Sequence, residues 1–296
     1  MKRLLTHAML LLLLNTAAGE AARADCSVSW NQLISSRAEH ESCIRNYGAD
    51  IPHFTSSWET SGGWNGEEGY MRWRVTQTMG EDGDGYWINH PTTNARPIFI
   101  SFIAKVGSTW WTSHTSSDRF KFVMFLPDTQ LNPRPTIFNM PIFSGAGAYS
   151  YRTFGPDLEA GGQGCDQFGN CLHNQTNGYP NHTYKEDRNG HSQWFFIVMS
   201  LESDRTKTYI WSQDGRLSGF YAQSLPAGSS LLSSWNAANW RTVLLLGYIE
   251  ATTAGDANAY MDIGHIRVTQ SLPSPPTGFV TGASVVPNPP EHVTAE

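Results

Sequence analysis

From about residue 51 to residue 270 the chain alternates between apolar and polar side chains in short runs, and Gly, Asn, Asp and Pro stand between the runs. That period of two, broken every several residues by turn formers, restricts the chain to an all-β sandwich or barrel. The runs can be read one at a time. Tyr70, Arg72 and Arg74 fall on one face of a strand whose other face is Met71, Trp73 and Val75. Arg119 and Lys121 fall on one face of the next polar-edged strand, and Phe120, Phe122, Met124 and Leu126 are expected to turn inward. Residues 98–106 and 194–201 are apolar at most positions, which suits central strands covered on both sides. Residues 209–212 are followed by Gln213-Asp214-Gly215, where Asp-Gly favours a tight hairpin. Residues 240–249 and 260–268 supply two more strands. No long amphipathic helix follows residue 50, and no repeat of 20 to 50 residues is present.

The N-terminus has the form of an export signal. Lys2 and Arg3 precede an apolar run, Leu4 to Leu14, and Ala22-Arg23-Ala24 forms an A-x-A cleavage site. Cleavage after Ala24 is expected, with an uncleaved N-terminal anchor as the other reading. The predicted layout is a signal peptide over 1–24, a disulfide-tied lead-in over 25–54, a sandwich domain over 55–270, and a Pro-rich disordered tail over 271–296. The location expected is secreted, extracellular or periplasmic. Of the 296 residues, 272 would remain, and loss of Lys2, Arg3, Arg23 and Glu20 takes the net charge from −6 to −8. Such a charge argues against a nucleic-acid partner. No later segment is apolar enough for stable membrane insertion. A monomer is expected.

Four cysteines, Cys26, Cys43, Cys165 and Cys171, read as disulfides in an exported chain. Three pairings are possible, and the most local is Cys26–Cys43 with Cys165–Cys171. Metal binding is disfavoured because C-x-x-C is absent and no His sits at zinc-ligand spacing.

Three segments resemble the jelly-roll domains of the concanavalin A-like lectin/glucanase superfamily, especially its polysaccharide-lyase and laminin-G-like branches. They are residues 69–75 with the Phe99 and Phe120 strands, then residues 193–201 with Trp211-Ser-Gln-Asp214-Gly215, and the closing run from Tyr260 to Val268. The resemblance implies a two-sheet antiparallel jelly-roll β-sandwich and contact with polysaccharide. The E-x-D-x-x-E strand of the superfamily's glycoside hydrolases is missing. So are the R-x-E-L-R, Q-[IV]-H and Y-F-K-A-G motifs of its best-known alginate lyases.

The residues themselves offer several sites. If the two cationic strands share a sheet, Tyr70, Arg72, Arg74, Arg119 and Lys121 line one trough suited to the carboxylates of an acidic glycan. The alternative is a solvated face paired with local acids. The segment from Gly161 to His191 carries His182 and Tyr184 two positions apart, and these are the candidates for proton transfer in β-elimination. Eleven Trp leave rings to spare for sugar stacking; Trp58, Trp64, Trp87 and Trp235 are considered, with the adjacent pair Trp110-Trp111 the strongest candidates. Asp82 and Asp84, in Glu-Asp-Gly-Asp-Gly, could hold Ca²⁺, and a solvated acidic turn explains them equally well. No other cofactor is required. The expected function is a secreted polysaccharide lyase acting on a uronate-containing glycan. The alternative is a non-catalytic carbohydrate-binding, lectin-like domain, and a third reading is an adhesion domain of the cell envelope.

Overall fold

The computed structural model describes residues 26–45, 54–66, 69–75, 79–82, 85–107, 119–127, 135–144, 148–158, 193–213, 218–224, 233, 236–251 and 260–279. In chain order its strands are β1 (Cys26–Ser27), β2 (Leu33–Ile34), β3 (Ile44–Arg45), β4 (Phe54–Glu59), β5 (Tyr70–Val75), β6 (Met79–Asp82), β7 (Gly85–Thr93) and β8 (Ile98–Val106). They continue with β9 (Arg119–Pro127), β10 (Pro135–Ser144), β11 (Ala148–Leu158), β12 (Trp194–Leu201), β13 (Arg205–Ser212), β14 (Ser218–Ser224), β15 (Trp240–Ala251) and β16 (Tyr260–Thr269). One short helix, α1 (Arg37–Cys43), lies between β2 and β3.

The strands form two sheets, so the fold is an all-β antiparallel sandwich. The first sheet runs β1-β7-β15-β9-β10-β11, with β3 added to β7 and β6 to β15. The second runs β14-β13-β12-β8-β16-β5-β4, with β2 added to β16. Every described pairing is antiparallel except β1 with β7. The strands expected over 98–106, 194–201 and 260–268 are β8, β12 and β16, which lie side by side at the centre of the second sheet.

Alternation decides what each sheet buries. From the second sheet Ile98, Ile100, Phe102 and Ala104 of β8, Phe195, Ile197, Met199 and Leu201 of β12, and Met71 and Trp73 of β5 enter the core. Tyr86 and Ile88 of β7, Phe125 of β9, and Val243 and Leu245 of β15 meet them from the first sheet. The same strands also carry apolar residues on the outer face. Trp64, Tyr70, Phe99, Ile103, Trp194, Phe196, Val198 and Phe279 make a second buried cluster there. All eight residues of β12 are buried for this reason.

The lead-in belongs to both sheets, since β1 and β3 pair with β7 and β2 pairs with β16. Seven residues of helix are too few to be stable alone. Ser36 caps α1: its Oγ accepts from the Glu39 amide, and the Glu39 carboxylate accepts from the Ser36 amide at 2.9 Å. The Cys26–Cys43 disulfide ties the end of α1 to β1. His40 anchors the helix from within, fully buried, with Nδ1 2.8 Å from the Tyr86 hydroxyl and its ring 5.3 Å from that of Trp58.

Three expectations are corrected. The tail does not leave the fold at residue 270. Residues 270–279 form a strap, and Phe279, only 6% exposed, joins the outer cluster. A single aromatic residue in an otherwise Pro-rich run supplies the anchor. The cationic strands do not share a sheet either. β5 sits between β16 and β4 in the second sheet, whereas β9 sits between β15 and β10 in the first. Phe125 of β9, an odd position, lies in the core, where the even positions were expected to turn inward. From Phe122 to Leu126 the sequence is apolar at every position, so alternation there does not fix which side turns in.

Candidate functional site

The outer face of the second sheet brings unlike side chains into one row by register alone. Trp194 of β12 is the cross-strand partner of Lys105 in β8, Lys105 of Asp262 in β16, Asp262 of Arg72 in β5, and Arg72 of Ser57 in β4. Cross-strand neighbours lie close enough for their side chains to interact. Asp262 is fully buried and holds the row together. Arg72 donates to it from Nε at 2.6 Å and from Nη2 at 2.8 Å, a two-point fork. The Lys105 ammonium stands 3.6 Å from the same carboxylate.

Aromatic rings frame these charges. The Arg72 guanidinium lies 3.8 Å from the centroid of Tyr260 and 5.6 Å from that of Tyr70. Lys105 lies 4.9 Å from Trp194, and Tyr70 meets Trp194 edge-on at 5.2 Å. Such cation–ring contacts add attraction where water is displaced. Burial works against the Arg72 charge, but its hydrogen bonds and charge contact with Asp262 prevail and hold it above the ordinary arginine range. Burial, reinforced by the Asp262 charge and offset by Arg72, pushes the Tyr70 phenol up to about 12. Its hydroxyl donates to the Ser61 carbonyl at 3.0 Å and accepts from Arg72 Nη2 at 3.2 Å.

At the β4 side the row opens toward solvent. Arg74 donates to the Ser57 hydroxyl at 2.9 Å, and Ser57 donates to Glu59 at 2.7 Å. Glu59 is 3.5 Å from Arg74 and 4.0 Å from Arg72. Three cations, Arg72, Arg74 and Lys105, thus face two carboxylates, Asp262 and Glu59. The patch carries a positive excess on a chain whose net charge is −6. Arg74, one-third exposed, is the cation most open to a ligand.

Beside the charged row runs an aromatic strip. Tyr209 and Trp211 of β13 are half-buried, with ring planes within 4° of parallel and centroids 6.0 Å apart. Trp211 lies 5.5 Å from Phe196, which lies 6.0 Å from Phe279. Phe279 stacks on Trp64 at 5.4 Å. At the strip's polar edge Lys207 pairs with Glu202 at 3.0 Å.

Of the residues singled out in the sequence, Tyr70, Arg72 and Arg74 are brought together here. Arg119 and Lys121 belong to β9 of the other sheet and take no part in this row. Asp82 closes β6, where its backbone pairs with Ile249, and Asp84 lies outside the described residues. His182, Tyr184, Trp110, Trp111, Trp235, Cys165 and Cys171 also lie outside them. Trp58 packs against the core and Trp64 is buried in the outer cluster. Among the described residues no three His, Cys, Asp or Glu side chains gather to hold a metal ion. The sequence reading missed Asp262, Lys105, Glu59 and Tyr260. Asp262 carried a signal, since an acid between Met261 and Ile263 in a strand needs a cationic partner once buried.

No family model matches the sequence, and no curated protein matches it significantly. Among solved structures, the chain is similar to the botulinum neurotoxin serotype D binding domain, at 10% identity over 78% of this chain and 48% of that one, TM-score 0.36. It is similar to the receptor binding domain of the botulinum neurotoxin C/D mosaic serotype, at 11% identity over 78% and 48%, TM-score 0.35. It is also similar to the winged bean acidic lectin solved with methyl-alpha-D-galactose, at 9% identity over 77% and 97%, TM-score 0.34. The chain spans about half the length of the toxin domains. Overlap this loose carries no function across.

Proposed function

We propose that this is an exported glycan-binding protein that takes acidic saccharides on the outer face of its second sheet. The observation that carries the reading is the three-cation, two-carboxylate row lying beside a strip of aromatic rings. A sugar presents apolar C–H faces to rings and hydroxyls to polar groups, and a carboxylate or sulfate on it would meet the excess charge at Arg74. The Cys26–Cys43 bond supports an oxidising compartment and hence export.

A lyase is the second reading, favoured by the contact of the Tyr70 phenol with Arg72, since elimination from a uronate needs both a proton carrier and a cation. His182 and Tyr184 remain its sequence candidates. Tyr70 itself is 4% exposed, already donates to Ser61 and is held near 12, which favours binding over turnover at this face.

Titrating uronate-containing, sulfated and neutral polysaccharides into the mature chain, while following ultraviolet absorbance for unsaturated uronate and assaying reducing ends, tests both. Retention of acidic glycans without new double bonds is the expected result. New double bonds would establish the lyase. Absence of both glycan retention and new double bonds would overturn both readings.

A further inference from the structure

The strap that follows β16 covers outward-facing residues of the same sheet. β16 ends at Thr269, and by Phe279 the chain is seated over Trp64 and Phe196. What holds it there is unusual for a segment so well placed. Pro273, Pro275 and Pro276 have no backbone donor. Among the described residues the strap's backbone hydrogen bond is internal, Phe279 N–H to the Pro276 carbonyl at 3.3 Å. Thr269 Oγ1 donates to the Ser271 carbonyl at 2.6 Å, only at the strap's root. No ladder joins residues 270–279 to the sheet beneath them. The attachment therefore rests on side-chain packing, with Phe279 buried at its far end and Pro273, Pro275 and Pro276 half-buried along the way. Gly278, with φ of +102°, makes the turn that delivers that ring, and a Cβ there would lie 3.4 Å from Trp64.

The place that Phe279 fills is an aromatic slot. Its ring lies within 11° of parallel to Trp64 and borders Phe196, which in turn borders the half-buried Trp211. Segments held by few backbone bonds and little buried surface open at far lower cost than the sheets they lie on.

We propose that residues 270–279 are a removable cover, and that Phe279 occupies a stacking subsite for a sugar ring, continuous with Tyr209 and Trp211. This rests on the glycan-binding reading for the identity of the ligand, but not for the mobility of the cover. With the cover seated, the face offers the cation row and the Tyr209–Trp211 pair. With it lifted, Trp64 and Phe196 join them, and the subsite accepts the apolar face of a further sugar.

Phe279→Ala in the mature chain tests this, alongside Gly278→Val, which keeps the ring but strains its turn, and a chain ending at Gln270. Three readouts are taken: acrylamide quenching of tryptophan emission, thermal unfolding, and affinity for the glycans retained by the parent. The expected result is easier quenching in all three variants with the unfolding transition kept, and a roughly threefold to tenfold gain in affinity. Unchanged quenching would overturn the cover. A large fall in the transition with faster backbone hydrogen exchange throughout both sheets would overturn it too, by making the strap part of the cooperative core. Easier quenching with unchanged or weaker glycan affinity would overturn the subsite. If neither parent nor variants retain any glycan, the glycan-binding reading and the sugar subsite fail, while the quenching result still decides the cover.

Discussion

Arg72 and Asp262, 190 positions apart in sequence, are direct cross-strand partners joined by two hydrogen bonds of 2.6 and 2.8 Å. Removing one member leaves the other buried or nearly so with only a longer ion contact, Glu59 at 4.0 Å for Arg72 or Lys105 at 3.6 Å for Asp262. Asp262→Ala is expected to lower stability by about 3–5 kcal/mol in urea unfolding. The double variant Arg72→Met, Asp262→Leu should recover most of that loss, because two apolar groups need no partner. A double variant as unstable as the single one would show that the pair's worth lies elsewhere.

Gly69 has φ of +107°, and a Cβ there would overlap the six-membered ring of Trp58. Gly69→Ala is therefore expected to cost on the order of 2–3 kcal/mol, from backbone strain and displacement of Trp58 together. Gly66, with φ of +77° and nothing within 4 Å of its missing Cβ, is the control. Gly66→Ala should cost about 1–2 kcal/mol, the strain alone. Equal losses at both sites by denaturant titration would argue against the Trp58 overlap.

Two buried histidines make the fold acid-sensitive. Burial lowers His40 from 6.5 to about 4, partly opposed by the charge of Glu39 and aided by His265. Burial lowers His90 from 6.5 to about 4 as well, opposed by the Pro91 carbonyl and aided by Arg96. Both folded values lie below the unfolded one, so the unfolded chain binds more protons in this window. The stabilisation is complete above pH 6.5 and is lost as the pH falls through 4. Each histidine should contribute a slope of up to about 1.4 kcal/mol per pH unit. His90→Gln should remove one of the two slopes; an unchanged pH dependence of urea unfolding would refute the assignment.

Arg74 is the open end of the cation row. Arg74→Ala is expected to weaken acidic-glycan binding severalfold and to flatten its dependence on salt, since charges at a surface are screened. Its contacts with Glu59 are half-buried and partly screened by solvent, so stability should shift by only about 1 kcal/mol. Calorimetric titration at low and high salt checks both, and equal loss for neutral glycans would count against a charge-based role.

The sheets were legible because alternation survives wherever one face is polar. β5, with Tyr, Arg and Arg against Met and Trp, could be read in phase, and its cations do share a face. β9 could not, because its second half is apolar on both faces and nothing local says which sheet it joins. The site was half legible for the same reason. Tyr70, Arg72 and Arg74 announce themselves on one strand, but the residues that complete the row come from β16, β8 and β4. Only long-range register makes them neighbours. The strap's return was hidden in composition, which counts prolines but gives no weight to one phenylalanine with a slot waiting for it.

The N-terminal segment has a mechanical consequence. Residues 26–27 are stitched to the first sheet and 33–34 to the second, within a loop closed by Cys26–Cys43, and 44–45, just past that loop, return to the first sheet. Tension applied at this end is shared between both halves of the sandwich, and the covalent loop caps how far the thread can pay out before whole strands must slide.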